Sequence, residues 1–255
     1  MKYIRIVLII ILVCSAAMFG MGRLESRKNK EASKIAQEIV GKEDAEDGKE
    51  NIPEEVEKNI YKDDAFAEEL TSTDLEALRE VNEDVLGWIV IPGTMVDYPL
   101  MRSIDNEFYL NHSWDGSKNI AGAIFIEQMS SEDLSDFHTI IYGHRQKDGT
   151  MFASLKYYNS EEYWNDNRYV YIYDDSGVHK YEVFSAYEAS VKNYTYQVGF
   201  SGDESKQRFL DFCTGESVIE TGITPTVEDS ILTLSTCTAT GSNSKRWVVQ
   251  AKLVK

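Results

Sequence analysis

The stretch that decides the fold is ILTLSTC, residues 231–237, near the end of a chain of 255 residues. Apolar and polar residues alternate along it, which is the pattern of a β-strand with two different faces. Leu232 and Leu234 share the face expected to join the core, whereas Ser235 and Cys237 share the other face. Cys237 therefore ends a predicted strand and points away from the hydrophobic interior, whereas a structural cysteine would more often share the leucine face.

Two further polar residues are predicted at strand ends. Arg246 stands at the start of a predicted strand over residues 247–254, on the face away from the core, and only eight residues separate it from Cys237. His144 follows a predicted strand over residues 138–142 after one glycine. Taken alone, His144 is best explained as a surface loop residue. The joint placement of a cysteine, a histidine and an arginine at strand ends is what indicates a reactive site.

Short apolar segments bounded by turn residues recur from Leu86 onward and predict eight strands. These cover residues 88–91, 96–100, 121–127, 138–142, 169–173, 181–187, 231–235 and 247–254. A helical pattern over residues 204–213 lies in the long connection before the cysteine-bearing strand, and one or two short helices are predicted between Asp64 and Val81. The predicted fold class is therefore mainly β with added helices, an eight-stranded closed barrel.

Composition excludes several classes of function. The net charge of −17 is concentrated between Glu31 and Asp84, where nineteen acidic residues face six basic ones, and this acidic balance argues against a nucleic-acid partner. The sequence has no phosphate-binding glycine loop, nucleotide fingerprint or metal-spaced cluster, so no metal and no cofactor are expected. Of three cysteines, Cys14 lies in the apolar N-terminal run and Cys213 fits a buried apolar position, which leaves Cys237 for chemistry.

The N-terminal region is predicted to attach the chain to a membrane. Residues 1–22 contain an uncharged apolar run of sixteen residues, which is marginal for a transmembrane anchor, and a cleavable signal peptide is the alternative. Residues 23–63 are acidic and weakly patterned, which predicts a stalk, and residues 64–255 form the predicted catalytic domain. The region before about Asp64 is therefore expected to be dispensable for catalysis in solution.

The motifs together resemble those of one enzyme family. TLSTCT at residues 233–238, with Arg246 nine residues after the cysteine, is similar to the catalytic signature of sortases, and YGHR at residues 142–145 is similar to their histidine motif. GWI at residues 87–89 and NEFYLNH at residues 106–112 resemble the opening of the class B group, as does the helix-bearing connection before the cysteine strand. The resemblance runs from about Asp74 to the C-terminus, and the predicted N-terminal anchor is also of the family type.

The resemblance implies a sortase-type β-barrel and a cysteine transpeptidase. Such an enzyme cleaves a C-terminal sorting motif of exported proteins through a thioacyl-enzyme and transfers them to an amine of the cell-wall peptide, so both are expected partners. It also implies a single-pass cell-membrane protein with an extracellular catalytic domain, although the lysine and arginine bias around the apolar run favours the opposite orientation. The alternatives are a Cys-His hydrolase that releases the acyl group to water, a pilin-polymerising sortase and a non-catalytic surface barrel.

The predicted catalytic set has three members: Cys237 as nucleophile, His144 as general acid and base, and Arg246 as stabiliser of the reacting carbonyl. Some class B members carry an acid two residues after the cysteine, and here Ala239 occupies that position, so no carboxylate is expected in the set. Matching positions imply substrate contacts from four more residues, and plain packing or loop polarity is the rival explanation for each. These residues are Asn106, Leu110, Tyr196 and Ser235.

Overall fold

The computed structural model describes residues 26–41, 65–102, 104–237 and 244–254. The predicted anchor, most of the predicted stalk and the loop that contains Ala239 lie outside these residues. The described strands are β1 Val85–Val90, β2 Asp97–Met101, β3 Ile124–Ile126, β4 His138–Tyr142, β5 Tyr169–Asp174, β6 Gly177–Ser190, β7 Ile231–Cys237 and β8 Lys245–Leu253. All eight predicted strands are therefore present, with ends that shift by a few residues.

The described strands form a closed barrel in the order β1, β2, β3, β4, β7, β8, β6 and β5, with β5 paired to β1. This confirms the predicted eight-stranded barrel. The pairing of β4 with β7 decides where the site lies, because the two are parallel neighbours with Tyr142 opposite Ser235. Parallel strands end at the same edge of a sheet, so the residues after β4 and those at the end of β7 meet at one mouth of the barrel. The antiparallel β8 begins at that mouth, with Arg246 opposite Cys237.

The two faces of β7 are both covered, for different reasons. Leu232 and Leu234 are fully buried in the apolar core inside the barrel, as the alternation predicts, and each contributes about 1.5–3 kcal/mol by its burial. Thr233 and Ser235 on the opposite face are also buried, in a polar layer rather than in the core. Cys237 is the one residue of β7 that is partly exposed. The strand thus delivers a single reactive side chain to the surface.

Helices surround the barrel. The described ones are α1 over residues 26–39, α2 Ala65–Leu70, α3 Leu75–Arg79, α4 Glu161–Asp166 and α5 Asp203–Glu216, and short 3-10 helices lie at Phe108–Leu110, Phe152–Asn159 and Tyr194–Tyr196. Asp74 caps α3, because its Oδ1 accepts a hydrogen bond from Ala77 N–H at 3.0 Å. The predicted helix before the cysteine strand is α5, and Phe209, Leu210 and Cys213 on its inner face are buried.

Helix α1 belongs to the segment that the sequence assigns to an acidic stalk, yet it packs against the barrel. Ala32 and Ala36 on the helix and Val40 just after it are buried there, at the four-residue spacing of one helical face. They belong to a cluster of buried apolar side chains that also includes Trp114 and Met101. Part of the predicted stalk segment therefore has a fixed place beside the barrel, while the boundaries of stalk and catalytic domain stay predictions.

The predicted single-pass membrane location requires a correction. No helix in the described part of the chain is long and apolar enough to cross a membrane. The physical reason is plain for α1, which spans fourteen described residues and carries several charged side chains, whereas a bilayer needs roughly twenty mostly apolar residues. The predicted anchor over residues 1–22 lies outside the described residues.

Candidate active site

The thiol and the guanidinium start from neighbouring positions at one mouth of the barrel. Cys237 is the last residue of β7 and Arg246 is the second residue of β8, and they are directly opposite each other in the antiparallel ladder. Opposed residues place their side chains on the same face of a sheet, with Cβ atoms about 4.5–5.5 Å apart. The alternation in the sequence predicts this shared face, and the structure brings the two residues together.

His144 reaches the same mouth from β4. Gly143 extends the parallel ladder by one residue, because its N–H donates to Ser235 O at 3.2 Å. Phe152 N–H then donates to His144 O at 2.9 Å, which fixes the backbone of the histidine. A side chain at Gly143 would not fit, because its Cβ would lie 2.6 Å from Cδ2 of Phe152. Close packing therefore defines where the histidine leaves the strand.

The imidazole ring is held between a backbone carbonyl and the thiol. Its Nε2 lies 2.7 Å from Leu110 O, and because a carbonyl can only accept, Nε2 carries the proton and donates it. Nδ1 is then the nitrogen left for the hydrogen bond with the Cys237 thiol. Gly122, at φ +64°, fits closely against this arrangement. A Cβ there would lie 2.4 Å from Tyr109 O and 3.0 Å from Cδ2 of the His144 ring.

The carbonyl of Leu110 has the orienting role that a carboxylate has in other nucleophilic sites. In a triad, an acid accepts the far N–H of the histidine and so fixes its tautomer and direction. Here the main chain of Leu110 accepts that N–H instead. A neutral carbonyl orients the ring without adding a negative charge beside the thiolate. The geometry of the described residues therefore fits a set of cysteine, histidine and arginine.

The thiol and the imidazole change each other's pKa. The hydrogen bond with His144 lowers the pKa of Cys237, against the effect of burial, and the charge of Arg246 lowers it further. The hydrogen bond with Cys237 raises the pKa of His144, again against burial, and the bond to Leu110 O adds to the rise. Both shifts favour a thiolate beside an imidazolium, as a nucleophilic cysteine requires. Cys213 differs, because burial raises its pKa to about 11.

Two of the predicted substrate-contact residues form a wall beside the thiol. Ser235 lies two positions before Cys237 on the same face of β7, and its Oγ is 2.9 Å from the hydroxyl of Tyr196. Tyr196 ends a 3-10 helix in the connection between β6 and α5. Burial raises the pKa of Tyr196, while the positive charge of Arg246 opposes that rise. The charge of Arg246 therefore affects the Tyr196 hydroxyl, which belongs to this wall.

The other two predicted contact residues lie on the segment that leads to the histidine ring. Leu110 is 41% exposed, so it is open to a ligand, while its carbonyl accepts the hydrogen bond from His144. Asn106 is engaged by the protein itself. Its Nδ2 donates to both carboxylate oxygens of Glu127 at 2.7 Å, and its Oδ1 accepts from Gln128 N–H at 3.0 Å.

Comparison with known proteins gives the family. The model of the sortase domain matches residues 89–254, more than half of the chain. Sortase B of Staphylococcus aureus is 34% identical over 181 residues, which is 71% of this chain and 74% of that protein. The chain belongs to the sortase family. This confirms the resemblance, and because sortases are cysteine transpeptidases it also confirms the predicted enzyme class.

Solved structures of class B sortases agree with the fold. The Staphylococcus aureus sortase B-substrate complex is 31% identical, has a TM-score of 0.68, and covers 79% of this chain and 94% of its own. A sortase B complexed with triglycine has the same identity and TM-score and covers 78% of this chain and 93% of its own. The barrel described above is therefore the sortase B barrel.

Glu127 is a buried acid near the candidate site of this sortase, and the sequence did not reveal its contacts. Its carboxylate is buried, and it accepts a hydrogen bond from the Tyr142 hydroxyl at 2.8 Å in addition to those from Asn106. Tyr142 lies opposite Ser235 in the ladder between β4 and β7. The acid therefore joins the Asn106 loop to the strand that leads to His144. Its only signal in the sequence is a charged residue at the end of a predicted apolar strand.

His138 is a second residue with a role that the sequence did not reveal. It is buried at the start of β4, with Nδ1 2.8 Å from Gln197 O and Nε2 2.7 Å from Thr233 Oγ1. Burial lowers its pKa to about 4, so the ring is neutral at physiological pH. It ties β4 and β7 to the connection that carries Tyr196. Among the described residues, no cluster of histidine, cysteine and acidic side chains is arranged to hold a metal.

Proposed function

We propose that the chain cleaves a C-terminal sorting motif of exported proteins and transfers the acyl group to an amine of the cell-wall peptide. The observation that supports this most strongly is the set at the barrel mouth, in which Cys237 is hydrogen-bonded to His144 and lies opposite Arg246. It contains a nucleophile, a proton carrier and a cation, the three groups that acyl transfer through a thioester needs.

In the proposed first half-reaction, the Cys237 thiolate attacks the scissile carbonyl carbon and forms a C–S bond. The carbonyl electron pair moves to oxygen, and Arg246 donates hydrogen bonds to this oxyanion. The C–N bond then breaks, and the His144 imidazolium gives its proton to the departing amine. A thioacyl-enzyme and a neutral imidazole remain.

In the proposed second half-reaction, the incoming amine attacks the thioester carbonyl and gives a proton to His144. Collapse of the tetrahedral intermediate forms the new peptide bond and expels the Cys237 thiolate. The thiolate and imidazolium are then restored, so the cycle consumes no proton overall. The hydrogen bond from Nε2 to Leu110 O leaves Nδ1 facing the thiol, where both proton transfers take place.

The proposed substrates follow from the complexes of related proteins and from the side chains beside the thiol. One related structure is a sortase B-substrate complex and another is a sortase B complexed with triglycine. We assign the contacts with the acyl side of the peptide to the wall of Ser235 and Tyr196, to the exposed Leu110 and to the loop of Asn106. A peptide bound by these residues would place its carbonyl between Cys237 and Arg246.

A mass-spectrometric assay tests the proposed reaction. The chain is incubated with a small library of sorting-motif peptides, with and without triglycine as the amine. We expect one peptide class to be cleaved, and to give a product in which the acyl fragment is joined to triglycine. Absence of cleavage for every peptide, with a folded chain, would contradict the proposal.

The same assay separates the alternatives by their acceptor. A hydrolase would give only the free acid at saturating triglycine, because water would capture the thioester. A pilin-polymerising sortase would prefer a lysine-containing peptide to triglycine as the acceptor. Products are distinguished by mass, and competition between the two amines in one tube gives their relative rates.

The pKa shifts predict a characteristic pH dependence. The lowered pKa of Cys237 means that thiolate persists to lower pH than in an ordinary cysteine, so the midpoint of its alkylation should lie below about 8.5. The raised pKa of His144 means that imidazolium is lost only as pH rises above about 6.5. Turnover should therefore be bell-shaped in pH. Alkylation is measured for each cysteine by peptide mass spectrometry, with buried Cys213 as the internal slow reference.

Replacement of the histidine supplies the control for this pH dependence. His144→Ala removes the hydrogen bond that is the largest cause of the lowered thiol pKa, so its alkylation midpoint should move upward. A midpoint that stays in place would show that His144 does not govern the thiol.

A further inference from the structure

The segment after His144 returns to the backbone of the histidine. Residues 145–151 leave His144 and come back, with Arg145 and Met151 paired in an isolated antiparallel bridge. Phe152 N–H then donates to His144 O at 2.9 Å, so the segment closes on the histidine backbone. We call residues 145–151 the histidine loop. A shift of this loop is transmitted to His144 over a short, closed path.

Helix α1 covers the histidine loop. Asn29 Nδ2 donates to Thr150 Oγ1 at 3.0 Å, and each of these residues is only 3% exposed. Ser26 Oγ, one turn earlier on the helix, donates to Asp148 Oδ2 at 2.5 Å. Asp148 Oδ1 in turn accepts hydrogen bonds from the N–H and the hydroxyl of Thr150, at 3.2 and 2.7 Å. Two residues of α1 therefore hold two loop residues that also brace each other.

The same helix contacts the segment on the other side of the imidazole. Trp114 Nε1 donates to Ala32 O at 2.8 Å, and Trp114 follows closely on the 3-10 helix that ends at Leu110. Leu110 O is the acceptor that orients the ring of His144. Helix α1 thus contacts both the loop that closes on the histidine backbone and the segment that holds its ring.

The far end of α1 is attached to the barrel at a separate place. Gln37 Nε2 lies 3.4 Å from Asp97 Oδ2, at the start of β2, and Ala36 on the helix and Val40 just after it are also buried. The Gln37 contact can be removed without removing a hydrogen bond to the histidine loop or to the Leu110 segment. This end of the helix therefore offers a matched control.

We infer that α1 is a positioning element for His144, an inference that rests on the proposed function because it assigns proton transfer to that histidine. Asn29 is its main contact, since the bond to Thr150 is buried whereas that from Ser26 is exposed. A misplacement of about 1 Å in a reacting group can cost about a hundredfold in rate. Loss of the contact should therefore slow proton transfer more than it weakens peptide binding. The region before Asp64 is then not dispensable for catalysis.

The test uses the full-length chain with Asn29→Ala, Thr150→Val, both together, and Gln37→Ala as the matched control. Asn29→Ala should lower kcat for sorting-peptide cleavage about tenfold, with KM within about twofold. It should also raise the pH midpoint of Cys237 alkylation, because the hydrogen bond from a displaced His144 weakens. Thr150→Val should act in the same direction, and the double variant should be less than additive because both changes remove the Asn29–Thr150 hydrogen bond, while Thr150→Val also removes the bond from the Thr150 hydroxyl to Asp148. Gln37→Ala should leave kcat and the midpoint unchanged.

A second variant and a substrate-free measurement keep the outcomes distinct. Ser26→Ala removes only an exposed contact, so it should fold even if Asn29→Ala does not, and it should raise the midpoint by a smaller amount. The alkylation midpoint needs no peptide, so it tests α1 even if the wild-type chain cleaves no peptide and the proposed function fails. Unchanged kcat and midpoint in folded Asn29→Ala and Ser26→Ala would overturn the role of α1. An equal loss in Gln37→Ala would also overturn this role, because the packing of the whole helix against the barrel would then explain the effect.

Discussion

Cys237→Ala is expected to abolish cleavage of every sorting peptide while the barrel stays folded. The thiol is the nucleophile of the proposed reaction, and an alanine methyl group cannot form the thioester in its place. Because Cys237 is the partly exposed last residue of β7, removal of its sulfur should change the free energy of unfolding by less than about 1 kcal/mol. Peptide turnover and thermal unfolding are measured on the same preparation.

Cys213→Ala is the matched control for this loss. Cys213 is fully buried on α5, and its sulfur lies 3.7 Å from the Tyr187 hydroxyl. Its truncation should cost roughly 1 kcal/mol of stability, as the loss of a small buried group does, and should leave turnover in place. Cys237→Ala is therefore expected to lose turnover and keep its stability, whereas Cys213→Ala is expected to lose some stability and keep its turnover. Substantial turnover in Cys237→Ala would contradict its assignment as nucleophile.

The part of this architecture that could be predicted is the part that local patterns encode. Alternation in β7 and β8 places Cys237 and Arg246 on one face, and the short connection between the strands makes their pairing almost obligatory. The approach of His144 could not be derived in this way. It depends on the parallel pairing of β4 with β7, two strands about ninety residues apart along the chain, and no local pattern specifies such a pairing.

The supporting groups were hidden for three different physical reasons. The acceptor that orients His144 is the main-chain carbonyl of Leu110, and the identity of a side chain carries no information about it. Glu127 and His138 are buried polar residues whose partners come from distant segments, so each looks like an ordinary strand-end residue. Helix α1 carries charged side chains of both signs, and its buried small residues give only a weak apolar pattern.

Arg246→Lys should lose most of the activity although it keeps the positive charge. If the arginine only lowered the pKa of Cys237, a lysine ammonium would largely replace it, since a point charge suffices for that effect. The guanidinium has a second property, a planar fork that can direct two N–H donors at one oxygen. Its Nη1 donates to Lys245 O at 2.9 Å, which helps to orient this plane at the barrel mouth. A lysine has no fork to be oriented in this way.

The expected size of the effect follows from the role of an oxyanion donor. Loss of one such donor typically costs about a hundredfold to a thousandfold in rate, or roughly 3–4 kcal/mol. We therefore expect kcat to fall by that factor in Arg246→Lys, with a much smaller change in the rate of Cys237 alkylation at fixed pH. Both rates are measured on one preparation, and Lys245→Ala at the exposed neighbouring position serves as the control for local disturbance. If the lysine variant keeps turnover within a few-fold of wild type, directed donation is refuted and only general electrostatic assistance remains for Arg246.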